Sequence, residues 1–293
     1  MQGISRVRSA LVMTGIASLV LATSVVAGAS ITGKYNAAAA KLVPAAYKKV
    51  TLQVATDATY APDESMKGSK MIGFDVDLIN AIATTLGIKV HENNVNFDGI
   101  LLGIKSGRYT IGNSSFTDNK AREKQVNFVD YFQAGEGVYA KSSTKVKFTG
   151  LKSFCGLKVA VETSTVEQSD AQATAKTCPA NKKLIVLPYT TQTEANLAVT
   201  SGRADVGFLD SQIAGYVVSQ SKGAFKLVGS AVNVAPYGIA TPKTANGHKL
   251  ALAIQAALKV LIANGTYHAI LTHWGVSSGA LPTSKIVLNG ATS

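Results

Sequence analysis

Cys155 and Cys178 are the only cysteines in this chain, and they stand 23 residues apart. In an oxidising compartment such a pair closes a disulfide loop; in a reducing one it is two buried thiols. Neither has a histidine near it in sequence, so a nucleophilic Cys–His pair has no support. The four histidines, His91, His248, His268 and His273, show no metal-ligand spacing. His268 and His273 are five apart on a predicted helix and so project from different faces. No metal site and no cofactor is expected. The chain has neither a P-loop nor a Gly-x-Ser-x-Gly elbow. Two charged residues remain of interest. Arg122 carries a planar guanidinium that can grip both oxygens of a carboxylate, although Lys120 and Lys124 beside it fit a surface arginine equally well. Asp210 ends the apolar run Val206-Gly207-Phe208-Leu209, a place for a turn former, a helix cap or a cation ligand.

The elements that must hold these residues alternate between strand and helix. Val50–Ala55 has the two-residue period of a strand. Leu78, Ile79, Ile82 and Leu86 fall on one helical face, with Gly87 placed to stop the helix. A further helix is predicted over about Asp98–Ser106, with Ile100, Leu101 and Ile104 inward and Gly107 ending it. Leu250–Ile262 reads as a long helix stopped by Asn264-Gly265, and His268–Trp274 as a short one after it. This is α/β architecture. The chain also repeats itself. Ser106-Gly107-Arg108 recurs as Ser201-Gly202-Arg203, an offset that lays Ser115 over Asp210. Leu52-Gln53-Val54-Ala55 resembles Leu157-Lys158-Val159-Ala160, laying Tyr60 over Thr165. Two matches in the same order predict two lobes of related topology, whose strand ends face a shared cleft.

With 293 residues, 46% apolar and 16% charged, the chain is long enough for two packed domains and too apolar for disorder. Its net charge of +12 favours anionic partners without naming one. Arg6 and Arg8 precede an uncharged run over Ala10–Ala29 that ends in Ala27-Gly28-Ala29, the pattern of a cleaved secretory signal over residues 1–29. The run holds no cysteine, so lipid attachment there is not expected. Export to the periplasm or cell exterior favours a Cys155–Cys178 disulfide, worth roughly 3 kcal/mol by loop entropy. The Ala-rich residues 30–47 read as a linker. The Lys-rich run Lys141–Lys152 has no interleaved aromatics, so it reads as a solvated face and no nucleic-acid partner is expected.

Several stretches carry a resemblance. They are Thr56-Asp57-Ala58-Thr59-Tyr60-Ala61-Pro62, Gly73-Phe74-Asp75-Val76-Asp77-Leu78, Ser115-Phe116-Thr117 followed at an interval by Arg122, Gly202-Arg203-Ala204-Asp205 with Asp210, and Gly265-Thr266-Tyr267. Over about residues 50–276 the chain resembles the extracellular solute-binding proteins of polar amino-acid ABC transporters, family 3. The resemblance implies a two-lobed, type II periplasmic-binding-protein-like fold with two hinge crossings, near Val138–Lys141 and Val234–Ile239. The first lobe would span 48–140 and 236–293, the second 141–235. It implies a receptor, not an enzyme, that closes on a free amino acid and passes it to an ABC permease, with a monomer expected. Arg122 would bind the ligand α-carboxylate, helped by Ser115 and Thr117, and Asp210 the α-ammonium. Ser164 and Thr165 would contact the ligand backbone from the second lobe. Tyr60 and Phe97 would wall the side-chain pocket, and Asp57 would tune its preference.

The chain departs from the family at Asp63, where an aromatic is common, at Thr110 in place of an Asp, and at Val166 in place of a hydroxyl residue. Asp57, Asp63 and Glu64 hint at a cationic ligand side chain if they stand near the pocket mouth; glutamine and glutamate stay open. Two alternatives share the fold. A cyclohexadienyl dehydratase-like enzyme needs an acid to protonate a leaving hydroxyl, and Glu162 is the only candidate. A tethered amino-acid sensor needs the N-terminal segment to remain.

Overall fold

A computed structural model describes residues 31–292. The expected signal segment, residues 1–29, lies outside the described residues. Two short helices, α1 (Ala37–Lys41) and α2 (Ala45–Lys48), lead into β1 (Thr51–Thr56). A small antiparallel sheet follows, β2 (Thr59–Tyr60), β3 (Glu64–Lys67) and β4 (Lys70–Ile72). Then come α3 (Phe74–Leu86), β5 (Lys89–Asn94), α4 (Phe97–Lys105), β6 (Ile111–Gly112), α5 (Lys120–Glu123) and the long β7 (Val126–Lys141). The next stretch holds β8 (Lys158–Glu162), α6 (Val166–Ala175), β9 (Ile185–Tyr189), α7 (Gln192–Ser201) and β10 (Val206–Asp210). The chain returns through α8 (Ser211–Gln220), β11 (Phe225–Leu227), β12 (Val232–Pro242), α9 (Ala245–Ala263) and α10 (Thr266–Trp274).

The repeat read from the sequence is a repeat of topology. Parallel strands run β5-β1-β6 in one half and β9-β8-β10 in the other, so the first strand of each half is central. Gly107 and Gly202 end equivalent helices with φ of 79° and 78°, a left-handed turn that a side chain would strain. The two halves share one nine-stranded sheet, because β7 pairs with β12 over its first part and with β10 over its last.

Apolar periodicity decides which faces are buried. Leu78, Ile82 and Leu86 of α3 meet Ile254, Leu258 and Leu261 of α9 in the first lobe. Phe154, Val159, Val161 and Phe208 build the second. Ala134 belongs to the first core and Val138 to the second, so the first crossing falls between them, earlier than the expected Val138–Lys141. The reason is pairing: β7 is one unbroken strand whose partner changes from β12 to β10 at Glu136. The return crossing runs between Val232, packed on the second core, and Tyr237 in the first.

The stretch expected to be a linker is packed instead. Asn36 caps α1 by accepting from the Ala39 N–H at 3.0 Å, and Ala39 and Val43 are buried in the first-lobe core. Alanine has the highest helix propensity of any residue, so a small, polar-looking composition forms helix once one apolar side anchors it. Gly73, at φ 146°, starts α3; a Cβ there would meet the Asp63 carbonyl oxygen at 2.0 Å. Cys155 and Cys178 are bonded, closing a loop that holds β8 and α6.

Candidate functional site

All the parallel strands point their C-terminal ends at one cleft, so the residues that follow them converge there. From the first lobe Asp57, Tyr60, Phe97, Ser115, Thr117 and Arg122 line one narrow cavity. From the second lobe Thr165 and Asp210 complete it. The sequence nominated all of these. Ser164 lies outside that cavity, in a groove beside Phe97 and Arg122. Ser114, Glu162, Val166 and Glu167 also line the cavity. Of these, Ser114 and Glu167 were not singled out from the sequence. Serines and acids at strand and helix starts look like ordinary turn and cap residues, and burial is what distinguishes them.

Arg122 sits on α5, whose start is fixed by the Asn119 side chain accepting from the Arg122 N–H at 2.9 Å. Its side chain is buried, not a surface arginine. Nη1 donates to the Thr117 carbonyl and, across the cleft, Nη2 donates to the Ser164 carbonyl, each at 2.9 Å. The guanidinium stacks 5.5 Å from the centroids of Phe97 and Phe116. Among the described residues no carboxylate lies within ion-pair distance of it. Burial pulls it down to about 10, opposed by the charges of Glu167, Asp210 and Asp118, so it remains a cation at neutral pH.

Asp210 occupies the cap position of α8, yet its side chain caps nothing. Tyr60 takes it instead: the phenol donates to Asp210 Oδ2 at 2.8 Å and accepts the Asp210 N–H at 3.1 Å. Tyr60 was expected only as a pocket wall; it is also a bridge between lobes, with its ring packed in the second-lobe core. Burial pushes the Asp210 carboxyl up to about 6, restrained by hydrogen bonds from Tyr60 and Tyr237 and by the charge of Arg122. It is ionised at neutral pH. Arg122 and Asp210 therefore present a cation and an anion to one cavity from opposite lobes.

The short hydroxyls are committed differently from expectation. Ser115 Oγ donates to Asp63 Oδ2 at 2.8 Å, and its N–H to Asp75 Oδ2 at 2.9 Å. Thr165 Oγ1 accepts the Gln168 N–H at 3.1 Å as the cap of α6 and donates to the Glu162 carbonyl. Ser164 gives its carbonyl to Arg122. What this edge offers a ligand is the start of α6, where the helix dipole favours an anion. Asp63 and Glu64 are fully buried behind Ser114 and Ser115, not at the pocket mouth. Asp63 also accepts from Gln212 Nε2 of the second lobe at 2.9 Å. Burial pushes both of these carboxyls well up, and Asp75 beside them to about 6.

Buried acids make stability fall with rising pH. Burial raises Glu136 to about 8, with repulsion from Asp170 adding to it, and raises Asp130 to about 8, with Asp118 adding. An unfolded carboxyl titrates near ~4. Between about pH 4 and pH 8 the native state holds protons that the unfolded chain has lost. Their stabilisation is complete below the lower value and gone above the upper. The ligand-free protein is therefore expected to melt several degrees higher at pH 6 than at pH 8.5, by calorimetry, with Glu136→Gln flattening the curve. A melting temperature rising with pH would contradict this.

The sequence profile of the bacterial extracellular solute-binding proteins, family 3, matches residues 52–277. The chain belongs to this family. An arginine-binding protein of Corynebacterium glutamicum is 32% identical over 220 residues, covering 74% of this chain and 71% of its own. A solved ancestral arginine-binding protein bound to arginine superposes with a TM-score of 0.72 at 32% identity, covering 78% of this chain and 99% of its own. An ancestral amino acid-binding protein described as a precursor of cyclohexadienyl dehydratase superposes with a TM-score of 0.68 at 28% identity, covering 76% and 95%. The two-lobed fold of this solute-binding protein is thus that of amino-acid-binding proteins.

Proposed function

We propose that this family 3 protein is the receptor of an ABC importer for a free amino acid with a cationic side chain, arginine first. The observation that carries the reading is the Arg122–Asp210 pair across one cavity. An amino acid is a small molecule with an anion and a cation a few ångströms apart, and among the described residues Arg122 holds no protein carboxylate. The ligand α-carboxylate takes Arg122 and the start of α6; its α-ammonium takes Asp210. Phe97 and Tyr60 pack its aliphatic stem, and the acids Asp57 and Glu162 at the cavity wall favour a cationic end. The arginine-binding relatives support the same choice. Contact with both lobes only when they are shut is what pulls the open–closed equilibrium towards closure. The closed form is then what an ABC permease receives, from a monomer exported with its disulfide formed.

A thermal-shift panel of the twenty amino acids, on protein refolded to strip bound ligand, tests this. At 100 times Kd a ligand adds about 2.7 kcal/mol, or roughly 5–10 °C for a chain of this size. Arginine is expected to give the largest shift, with lysine and histidine next. No shift with any amino acid would overturn the reading.

A dehydratase is the second reading, and one observation favours it: burial and the neighbouring Asp57 push Glu162 up to about 10, so a carboxylic acid lines the cleft. Turnover of prephenate or arogenate by the purified protein would establish it.

A further inference from the structure

Glu162 and Asp57 line the same cavity from opposite lobes, close enough for each to act on the other's carboxyl. Asp57 follows β1 and is held by its own lobe. Its Oδ1 accepts Thr59 Oγ1 at 2.7 Å and the Thr59 N–H at 3.1 Å, and its Oδ2 accepts the Phe97 N–H at 2.8 Å. Burial raises the Asp57 carboxyl, and the donors on both of its oxygens oppose that rise in favour of the anion. Glu162 ends β8 and is 3% exposed, with Asp57 and the Gln192 backbone beside its carboxyl, and its Oε1 has no hydrogen-bond partner among the described residues. A proton on Glu162, donated to Asp57, is the arrangement that keeps two touching carboxyls in one buried place. The other ionisable groups around Glu162 are Asp210 on β10, Tyr60 on β2, Glu167 on α6 and Arg122 on α5. Asp210 adds to the repulsion, and Arg122 donates to the Thr117 and Ser164 carbonyls instead of pairing with Glu162.

We propose that Glu162 is a specificity-determining residue, and that capture of a cationic side chain between Asp57 and Glu162 expels the proton they share. This rests on the proposed cationic ligand. The exchange balances: a guanidinium enters, the Glu162 O–H bond breaks heterolytically, one proton leaves to solvent, and the cation bridges two carboxylates. A guanidinium has five N–H donors, enough to satisfy Oε1 and replace the lost hydrogen bond to Asp57. A neutral side chain cannot drive the exchange, so the pair stays protonated and such a ligand meets an acid–carboxylate pair without gaining an ion pair. Burial with Asp57 raises Glu162 far enough for the proton to be present at neutral pH. The selectivity for a cation then grows with pH.

Isothermal titration of arginine into the protein, at one pH in buffers of different ionisation enthalpy, counts the protons. About one proton released per arginine is expected in the wild type, and close to none in Glu162→Gln. The Kd of the wild type should tighten by close to tenfold between pH 7 and pH 8, and that of the variant should stay flat. Glu136→Gln, whose acid lies outside the cavity, should keep the wild-type count. Arginine binding with no proton release, or a release that persists in Glu162→Gln, overturns the proposal. If Glu162→Gln fails to bind, the wild-type Kd against pH decides alone, and a flat profile overturns it. Absence of arginine binding in the wild type would instead overturn the proposed cationic ligand on which this inference rests.

Discussion

Arginine binding by the Arg122→Ala variant is expected to be weaker than wild type by about thirty- to a few-thousand-fold, from the roughly 2–5 kcal/mol lost when one partner of a buried charge pair is removed. The ligand carboxylate would be left desolvated against Phe97 and Phe116 with no cation opposite. The Thr117 and Ser164 carbonyls would lose their common donor, so the contact that Arg122 makes between lobes goes too. Arg122→Lys restores the charge but not the planar fork, and should recover only part of the loss. Asp210→Asn should cost a comparable amount at the ammonium end, because the amide keeps the Tyr60 hydrogen bond and removes the charge. Calorimetric Kd values, with circular dichroism to confirm folding, check all three. An Arg122→Ala Kd within tenfold of wild type would mean that the carboxylate is held elsewhere.

Removing the disulfide has the largest expected effect on stability. The Cys155→Ala/Cys178→Ala variant frees a loop that contains β8 and α6, and with them Glu162, Thr165 and Glu167. Loop entropy sets the cost at about 3 kcal/mol, or very roughly 6–12 °C in melting temperature for a domain of this size. Reduction of the wild type should give the same loss. The effect should be smaller in the arginine-bound protein, because ligand contacts with Arg122 and Asp210 hold the second lobe in place. A fall of less than about 2 °C would mean that packing of Phe154, Val159 and Phe208 already fixes the loop.

The halves of this chain are legible in its sequence because both follow the same local rules. A helix ended by Ser-Gly-Arg and followed by a short apolar strand recurs, and each copy places its strand end on the cleft. That pattern predicted the twofold topology and paired Ser115 with Asp210 before any contact was seen. Arg122 stood out by residue type and by resemblance, and Asp57 by resemblance. The burial of acids was not legible. Asp63 and Glu64 sit in a turn-like stretch with Lys67 and Lys70 nearby, and only the packing of β2, β3 and α3 against Ser114 and Ser115 removes them from water. Glu167 looks like an ordinary acid in the first turn of a helix, yet it is 1% exposed.

Secondary structure and lobe topology follow from the spacing of apolar residues and the positions of glycine, which act over a few neighbours. Arg122 and Asp210 could be named because their chemistry does not depend on where they sit. Which carboxyls share a proton, which lobe owns a strand and what Tyr60 grips depend on groups far apart in sequence, Tyr60 and Asp210 by 150 residues. Such pairings exist only once the lobes close over them, because the dielectric that sets their charge is created by the packing itself.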